Sequence, residues 1–318
     1  MINDNIIDFI IKPGKADESA IIDYRPKVSS LKIYNKVITK TDGKNEIEFE
    51  VSSDGKVITV NGSITTATKE IIRNAPMVNP TDFARQALID ALQAEGIKIN
   101  MDSAKKLPVF SSYNAMEPIV KYQSAGFAKY LRLILKVSHN TAADMLPLLI
   151  AAHQKQYSYD AGMKDIGDFL LNEVKLSPTS FSMLDASGAN GNFVTSAAII
   201  KLLSYMQNLP AEDFQVFFDA LPILGVDGSL EHSGQELESK GKVHAKTGTE
   251  LLNNLANPDS LVLTSKALAG YIEKEGKLLE FMVVVNNASI TSLEQMRELV
   301  NDTVAVANTI YKYSLTKN

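Results

Sequence analysis

The chain has no cysteine and no tryptophan, and only four histidines. Without cysteine it can hold no disulfide, no thiolate metal site and no cysteine nucleophile. The histidines His139, His153, His232 and His244 show neither His-x-x-x-His spacing nor a carboxylate pairing typical of metal ligands. We therefore expect no metal and no cofactor, and we interpret all four histidines as structural or surface residues.

Long apolar runs and basic clusters are also missing. No run approaches the roughly 20 apolar residues that span a bilayer. Residues 1–13 carry Asp4 and Asp8 among isoleucines, whereas a signal peptide begins with basic residues and a longer apolar core. As written, the chain shows no export signal and is expected in the cytoplasm if expressed in this form. A net charge of -5 argues against nucleic-acid binding.

The remaining composition is that of a globular protein in two parts. A length of 318 residues, with 45% hydrophobic and 22% charged residues, suits one large or two modest domains. Residues 1–76 are predicted to form a small β domain, since apolar residues alternate in 44–51 and an Asp54-Gly55 turn leads into 57–60. Residues 77–318 have a mixed pattern, which gives an α+β protein.

The second part combines predicted helices with one buried hairpin. We expect a helix at 81–95 with Thr81 as its N-cap and Gly96 closing it. Strands at 267–272 and 279–285 flank a Glu-Gly-Lys turn. Residues 105–116 and 184–192 are predicted to be irregular. Further helices are predicted at 118–137, 141–153, 195–207 and 292–311.

Lys246-Thr247-Gly248 is the most informative short motif. Lysine supplies a positive charge, the threonine hydroxyl can bind a carboxylate, and glycine lets another backbone approach a strand closely. A lone Lys-Thr-Gly is common at strand edges. It gains weight because Ser138-His139-Asn140 supplies a Ser-x-Asn element 108 residues before Lys246, although a Ser or Asn there also suits a helix cap.

With these two elements the chain resembles the class C penicillin-binding proteins, which are DacB-type D-alanyl-D-alanine carboxypeptidases and endopeptidases. The resemblance implies a penicillin-binding, transpeptidase-like domain, with an antiparallel sheet and flanking helices, preceded by part of an inserted β domain. It also implies an extracytoplasmic (periplasmic) protein whose partner is a peptidoglycan stem peptide or a β-lactam. Nearly the whole chain takes part, through the blocks 185–195, 221–230, 242–249 and 268–271.

The same resemblance assigns roles in serine acyl transfer. Ser138 would relay a proton to the leaving D-Ala amine, and Asn140 would orient the peptide amide. Lys246 would support the hydrogen bonding around Ser138, and Thr247 would hold the terminal carboxylate beside Gly248. The backbone N–H of Thr249 would contribute to the oxyanion hole.

The nucleophilic serine of the family has no clear match in this sequence. In the family the Ser-x-x-Lys precedes the inserted β domain, and this chain resembles a protein that begins inside that domain. Ser-x-x-Lys occurs here at five serines, of which Ser103 is the least unsuitable, although Pro108 and its neighbours predict no buried helix that could desolvate the lysine. The other four serines are Ser29, Ser53, Ser239 and Ser314.

We therefore expect an N-terminally truncated catalytic domain that is inactive alone and that self-associates or is complemented by a missing segment. A non-catalytic module that binds peptidoglycan peptides is the alternative. A class A β-lactamase fits less well, because the front β module and the Asp227-Gly228 block do not suit it. Three departures from the family affect substrate fit: Asp144 in place of Glu, Ala186 in place of Gly, and a lengthened connection at 250–265.

Overall fold

The computed structural model describes residues 2–99, 117–189 and 191–313. The chain divides into two compact units, Met1–Val120 and Lys121–Asn318. The predicted irregular segment 105–116 and the serines Ser103 and Ser314 lie outside the described residues. None of the described helices is long and apolar enough to cross a bilayer.

The described part of the first unit contains six strands and one α-helix. Strands β1, β2 and β6 form one sheet in the order β2-β1-β6, and β3, β4 and β5 form another in the order β3-β5-β4. Their buried side chains, including Phe9 and Ile58, make a single core. The elements are β1 (Ile6–Lys12), β2 (Ile21–Arg25), β3 (Lys32–Lys40), β4 (Glu46–Val51), β5 (Val57–Thr65), β6 (Ile71–Pro76) and α1 (Pro80–Ala94).

The predicted β character of the front residues is confirmed. Strands β4 and β5 pair antiparallel across the Asp54-Gly55 turn, and Gly55 has a positive φ of 71° as that turn requires. The N-cap prediction for α1 is wrong. Asn79, not Thr81, caps the helix, since its Oδ1 accepts the backbone N–H of Asp82 at 3.1 Å. Pro80 then occupies the first turn, where no N–H is needed.

The described part of the second unit contains twelve α-helices and strands, and its largest sheet is antiparallel with the order β11-β10-β9. They are α2 (Phe127–Val137), α3 (Asn140–Asp144), α4 (Leu146–His153), α5 (Tyr159–Asn172), β7 (Phe181–Ser182), β8 (Phe193–Val194), α6 (Ser196–Gln207), α7 (Ala211–Ala220), β9 (Val243–Asn253), β10 (Leu261–Lys274), β11 (Lys277–Ile290) and α8 (Leu293–Tyr313).

Helices cover both faces of this sheet. Val243, Ala245 and Leu268 point to one face and pack against Val304 and Ala307 of α8. Tyr271 points to the other face, where α6 and α7 lie, and its hydroxyl donates to the Leu203 carbonyl at 2.7 Å. The predicted α+β class, with an antiparallel sheet and flanking helices, is confirmed.

The helix predictions need correction at three places. The helix predicted at 118–137 begins only at Phe127, after the exposed Gly126. The helix predicted at 141–153 is two helices that meet at Met145, because Pro147 lacks the N–H that would continue the first one. Helices α5 and α7 were not predicted.

The connection predicted at 250–265 is mostly strand. β9 continues to Asn253 and β10 begins at Leu261, so only seven residues, 254–260, connect them. One irregularity interrupts the β9–β10 ladder between Leu263 and Ser265. From Lys266 opposite Thr249 to the far end, the ladder is continuous.

Candidate active site

Ser138 lies at the end of α2 and touches the Lys-Thr-Gly motif. It adopts the left-handed conformation (φ 59°, ψ 54°) that commonly ends a helix, and its side chain is exposed. Lys246 Nζ donates to Ser138 Oγ at 2.6 Å and to the Thr247 carbonyl oxygen at 2.6 Å. Two motifs 108 residues apart in sequence thus meet through one hydrogen bond.

A partly buried ion pair holds the end of α2 in place. Lys136, two residues before Ser138, donates to Asp227 Oδ1 at 2.7 Å and to the Leu221 carbonyl at 2.5 Å. The same Asp227 oxygen accepts the backbone N–H of Ile223 at 2.9 Å. The loop that follows α7 and the helix that carries Ser138 are therefore fixed to each other. Lys136 was not predicted, because nothing in its local sequence distinguishes it from a surface lysine.

β9 is an edge strand, so half of its backbone groups point away from the sheet. The Glu273 N–H bonds to the Lys242 carbonyl at 2.8 Å, whereas the Ala245 N–H bonds to the Pro222 carbonyl at 2.9 Å, outside the sheet. Because the direction alternates along a strand, the backbone groups of Thr247 and Thr249 also point outward. They face the cleft into which Ser138 projects.

Gly248 leaves space at this edge. A Cβ built there would meet only the Ala267 Cβ, at 3.7 Å. Its φ is not positive, so neither packing nor backbone conformation of the described protein requires glycine. The space that it leaves is open to a ligand.

Both threonine hydroxyls next to Gly248 have partners. Thr247 Oγ1 lies 2.9 Å from Ser229 Oγ, and either atom can be the donor. Thr249 Oγ1 accepts from Lys266 Nζ at 2.7 Å. Ser229 directly follows Asp227-Gly228 in the sequence. The sequence alone does not show that this block lies close to the Lys-Thr-Gly motif.

The opposite wall of the cleft is a turn held by Asp185. Its Oδ1 accepts the backbone N–H groups of Ser187 at 2.8 Å, Gly188 at 2.7 Å and Ala189 at 3.2 Å. Burial alone would raise the pKa of Asp185, but these N–H donors outweigh it and lower the pKa below its usual range. The carboxylate thus stays ionised and keeps the turn in shape.

Asp144 supports the same wall. Its Oδ1 accepts the Ala186 N–H at 3.0 Å and the Tyr159 hydroxyl at 3.1 Å. Asp144 therefore links the backbone at Ala186 to Tyr159 of α5.

The resulting cleft has a volume of about 550 Å³. It brings together all six predicted site residues. Glu250 is the acidic side chain among its lining residues. These are Ile134, Leu135, Ser138, His139, Asn140, Ala143, Ala186, Ser187, Gly188, Ala189, Lys246, Thr247, Gly248, Thr249, Glu250 and Ser265.

Burial lowers the pKa of Lys246. Desolvation, with a smaller contribution from the nearby Lys266 charge, lowers the pKa of Lys246 to about 8. Burial also lowers the pKa of Lys266 below its usual range. Lys246 can therefore gain or lose a proton near neutral pH, as general acid–base catalysis requires.

Two of the histidines pack or bond within the second unit. His139 Nδ1 caps α3 by accepting the Ala142 N–H at 3.1 Å, and it also lines the cleft. The ring of His244 stacks on Phe218 at 4.1 Å, and burial lowers its pKa. Within the described ranges, no group of three His, Asp or Glu side chains could hold a metal ion.

The described Ser-x-x-Lys serines lie elsewhere. Ser29 donates to Asp90 at 2.7 Å within the first unit, and Ser53 lies in the β4–β5 turn. Ser239 is fully buried against Asn308 of α8. The serines that line the cleft are Ser138, Ser187 and Ser265, and none has lysine three positions later.

The sheet with its flanking helices and the Ser-x-Asn and Lys-Thr-Gly elements define a penicillin-binding fold. Penicillin binding protein 4 (dacB) from Haemophilus influenzae superposes with a TM-score of 0.71 at 21% identity, covering 98% of this chain and 67% of that chain. The same protein complexed with a β-lactam gives a TM-score of 0.68 at 20% identity, covering 98% and 70%. No curated protein sequence matches the chain.

The profile of the D-Ala-D-Ala carboxypeptidase 3 (S13) family matches residues 1–309. The chain belongs to this family. The resemblance inferred from the motifs, to DacB-type penicillin-binding proteins, is confirmed.

Proposed function

We propose that this chain binds peptidoglycan stem peptides ending in D-Ala and carries the proton-relay side of a serine-type D-Ala-D-Ala carboxypeptidase or endopeptidase site. The observation that supports this most is the 2.6 Å hydrogen bond from Lys246 Nζ to Ser138 Oγ beside the open edge of β9. Such peptides are cell-wall components, so the proposal places the protein's substrate outside the cytoplasmic membrane. The same cleft is proposed to accept β-lactams.

An extended peptide fits this edge as an added strand. The outward backbone groups of Thr247 and Thr249 provide the pairing, and Gly248 allows the peptide to approach closely. The Thr247 hydroxyl would hold the terminal carboxylate, and Asn140, at the start of α3, would orient the substrate amide. The Thr249 N–H would donate to the oxyanion that forms on the attacked carbonyl.

The proton route follows from the donors and acceptors. The ammonium of Lys246 donates to Ser138 Oγ, so the hydroxyl hydrogen of Ser138 is free to pass to the leaving amine nitrogen. As the C–N bond breaks, the nitrogen keeps the electron pair of that bond and uses it to bind the proton from Ser138. Lys246 then returns a proton to Ser138 Oγ, which a pKa of about 8 favours near neutral pH.

Acyl transfer also needs a serine that attacks the carbonyl. Among the described residues no Ser-x-x-Lys serine lines the cleft, so we propose that this chain by itself binds peptide without hydrolysing it. A segment bearing Ser-x-x-Lys, supplied by another polypeptide, would complete the site. The same observation favours the second candidate function, a non-catalytic module that binds peptidoglycan peptides.

Labelling and binding together test the proposal. We expect no covalent labelling by a fluorescent penicillin, and saturable binding of diacetyl-L-Lys-D-Ala-D-Ala in a calorimetric titration. Stoichiometric labelling at one serine, mapped by mass spectrometry, would refute the claim of binding without hydrolysis and identify the nucleophile. Absence of binding at about 10 mM peptide, a concentration far above the Kd of ordinary specific sites, would refute the whole proposal.

Peptide affinity is expected to depend on pH through Lys246. Its pKa of about 8 means that the ammonium charge is present at lower pH and is lost as the pH rises through that value. Affinity for the free-carboxylate peptide should therefore be constant below about pH 7 and should fall above about pH 8. Titration calorimetry at several pH values measures this. The Lys246→Met variant should show no transition there, and an unchanged wild-type affinity across that range would contradict the prediction.

A further inference from the structure

Lys266 is a buried lysine next to the cleft that the proton route above does not use. It lies on β10 directly opposite Thr249 of β9, and only 5% of its surface is exposed. Its Nζ donates to Thr249 Oγ1 at 2.7 Å. Its neighbour Ser265 and its partner Thr249 both line the cleft.

The charge of Lys266 has no counter-charge in the described part of the chain. The ion pairs found there involve other lysines and arginines, and neither Lys266 nor Lys246 is among them. Glu250 lines the cleft but is not within ion-pair distance of either lysine. Burying a cation without a partner costs free energy, and an anionic ligand would offset that cost.

The hydrogen bond to Thr249 also fixes which way that hydroxyl can act. An ammonium group only donates, so the Thr249 oxygen must accept from Lys266. The hydroxyl hydrogen of Thr249 is thus left to donate to another group, and the positive charge strengthens it as a donor. Thr247 differs, because it and Ser229 are both hydroxyls that can exchange donor and acceptor roles.

We propose that Lys266 is a positioning residue that makes Thr249 an obligatory donor and selects peptides with a free carboxylate after the scissile bond. A peptide whose carboxylate is replaced by a neutral amide loses both the charge attraction and an acceptor for Thr249. This inference rests on the proposed function and adds to it the recognition of the ligand's charge.

The test compares diacetyl-L-Lys-D-Ala-D-Ala with the same peptide carrying a C-terminal carboxamide. Wild-type protein, Lys266→Met, Lys266→Arg and Lys277→Met are titrated calorimetrically with each peptide. Lys277 is the matched control, because it lies at the turn end of the same hairpin, roughly 26 Å along the strands from Lys266. Thermal melts identify any variant that fails to fold.

Wild type should prefer the carboxylate, and Lys266→Met should lose that preference by about tenfold or more while its affinity for the amide changes little. Lys266→Arg, which keeps a charged donor, should restore most of the preference, which a merely structural role would not predict. Equal carboxylate preference in wild type and Lys266→Met refutes this inference alone. Failure of wild type to bind either peptide refutes the proposed function as well.

Should Lys266→Met fail to fold, Thr249→Val decides the question, because it removes the hydroxyl that Lys266 is proposed to make a donor. Loss of the carboxylate preference in a folded Thr249→Val protein, with Lys277→Met unchanged, supports the inference. Retention of the wild-type preference in Thr249→Val overturns it.

Discussion

Lys246→Met is expected to lower the affinity for diacetyl-L-Lys-D-Ala-D-Ala by about 100-fold or more. The substitution keeps most of the side-chain volume but removes the charge and the donors to Ser138 Oγ and to the Thr247 carbonyl. Removing the ammonium leaves the carboxylate of the bound peptide without this charge in a desolvated cleft, which costs about 3 kcal/mol and corresponds to roughly 100-fold in affinity. Calorimetric titration at pH 7 measures this loss.

Lys242→Met provides the matched control for this effect. Lys242 lies immediately before β9 and makes a half-exposed ion pair with Glu273 at 3.4 Å. Such pairs contribute little, so its affinity should stay within about twofold of wild type. A Lys246→Met protein that binds within about threefold of wild type would contradict the assigned role of this lysine.

Gly270→Ala is expected to destabilise the second unit by about 3 kcal/mol or more. A Cβ at Gly270 would lie 2.1 Å from the His244 carbonyl oxygen and 2.7 Å from the Ala245 Cα, both backbone atoms of β9. β9 and β10 would have to separate where Gly270 opposes Ala245, one residue from Lys246. In a unit of this size that loss lowers the melting temperature by roughly 6–12 °C.

Gly167→Ala is the corresponding control. Gly167 lies inside α5, and a Cβ there would meet nothing within 4 Å. Because alanine favours a helix more than glycine does, this variant should be as stable as wild type or more stable by about 0.5–1 kcal/mol. Calorimetric melts of both variants make the comparison. Equal melting temperatures would contradict the prediction, because they would show that the β9 backbone moves to accommodate a Cβ at Gly270 without loss of stability.

The motif residues were predictable because their chemistry is local. Ser138, Asn140 and 246–249 could be identified because they match the Ser-x-Asn and Lys-Thr-Gly elements of the family in order, and the described structure brings them to one cleft. Gly270 could be recognised as part of the 268–271 block, but the sequence gives no reason why glycine is needed there. The reason is that the β9 backbone passes close to Gly270, which depends on a strand pairing that only the folded chain shows.

The helices that escaped prediction have weak local signals. α5 contains Gly162 and Gly167, which lower helix propensity, and it forms through packing against α4, where Gly162 lies against Pro147. α7 begins after Pro210 without a side-chain cap. In both, tertiary contacts rather than local preference decide the conformation.

The charged pairings could not be inferred because their partners are distant in sequence. Lys136 and Asp227 are 91 positions apart. Lys266 and Thr249 are only 17 apart, but their contact depends on the hairpin register. Long polar side chains look alike in a sequence, and burial alone distinguishes them.

The Lys136–Asp227 pair constrains how this chain can change by mutation. Replacing Asp227 alone leaves the buried Lys136 ammonium without its counter-charge, which costs more than replacing both residues with apolar ones of similar volume. The two positions are therefore strongly epistatic, and the order of substitutions matters. A substitution at one of these positions is tolerated only when the other has also changed, so relatives should keep both residues or lose both together.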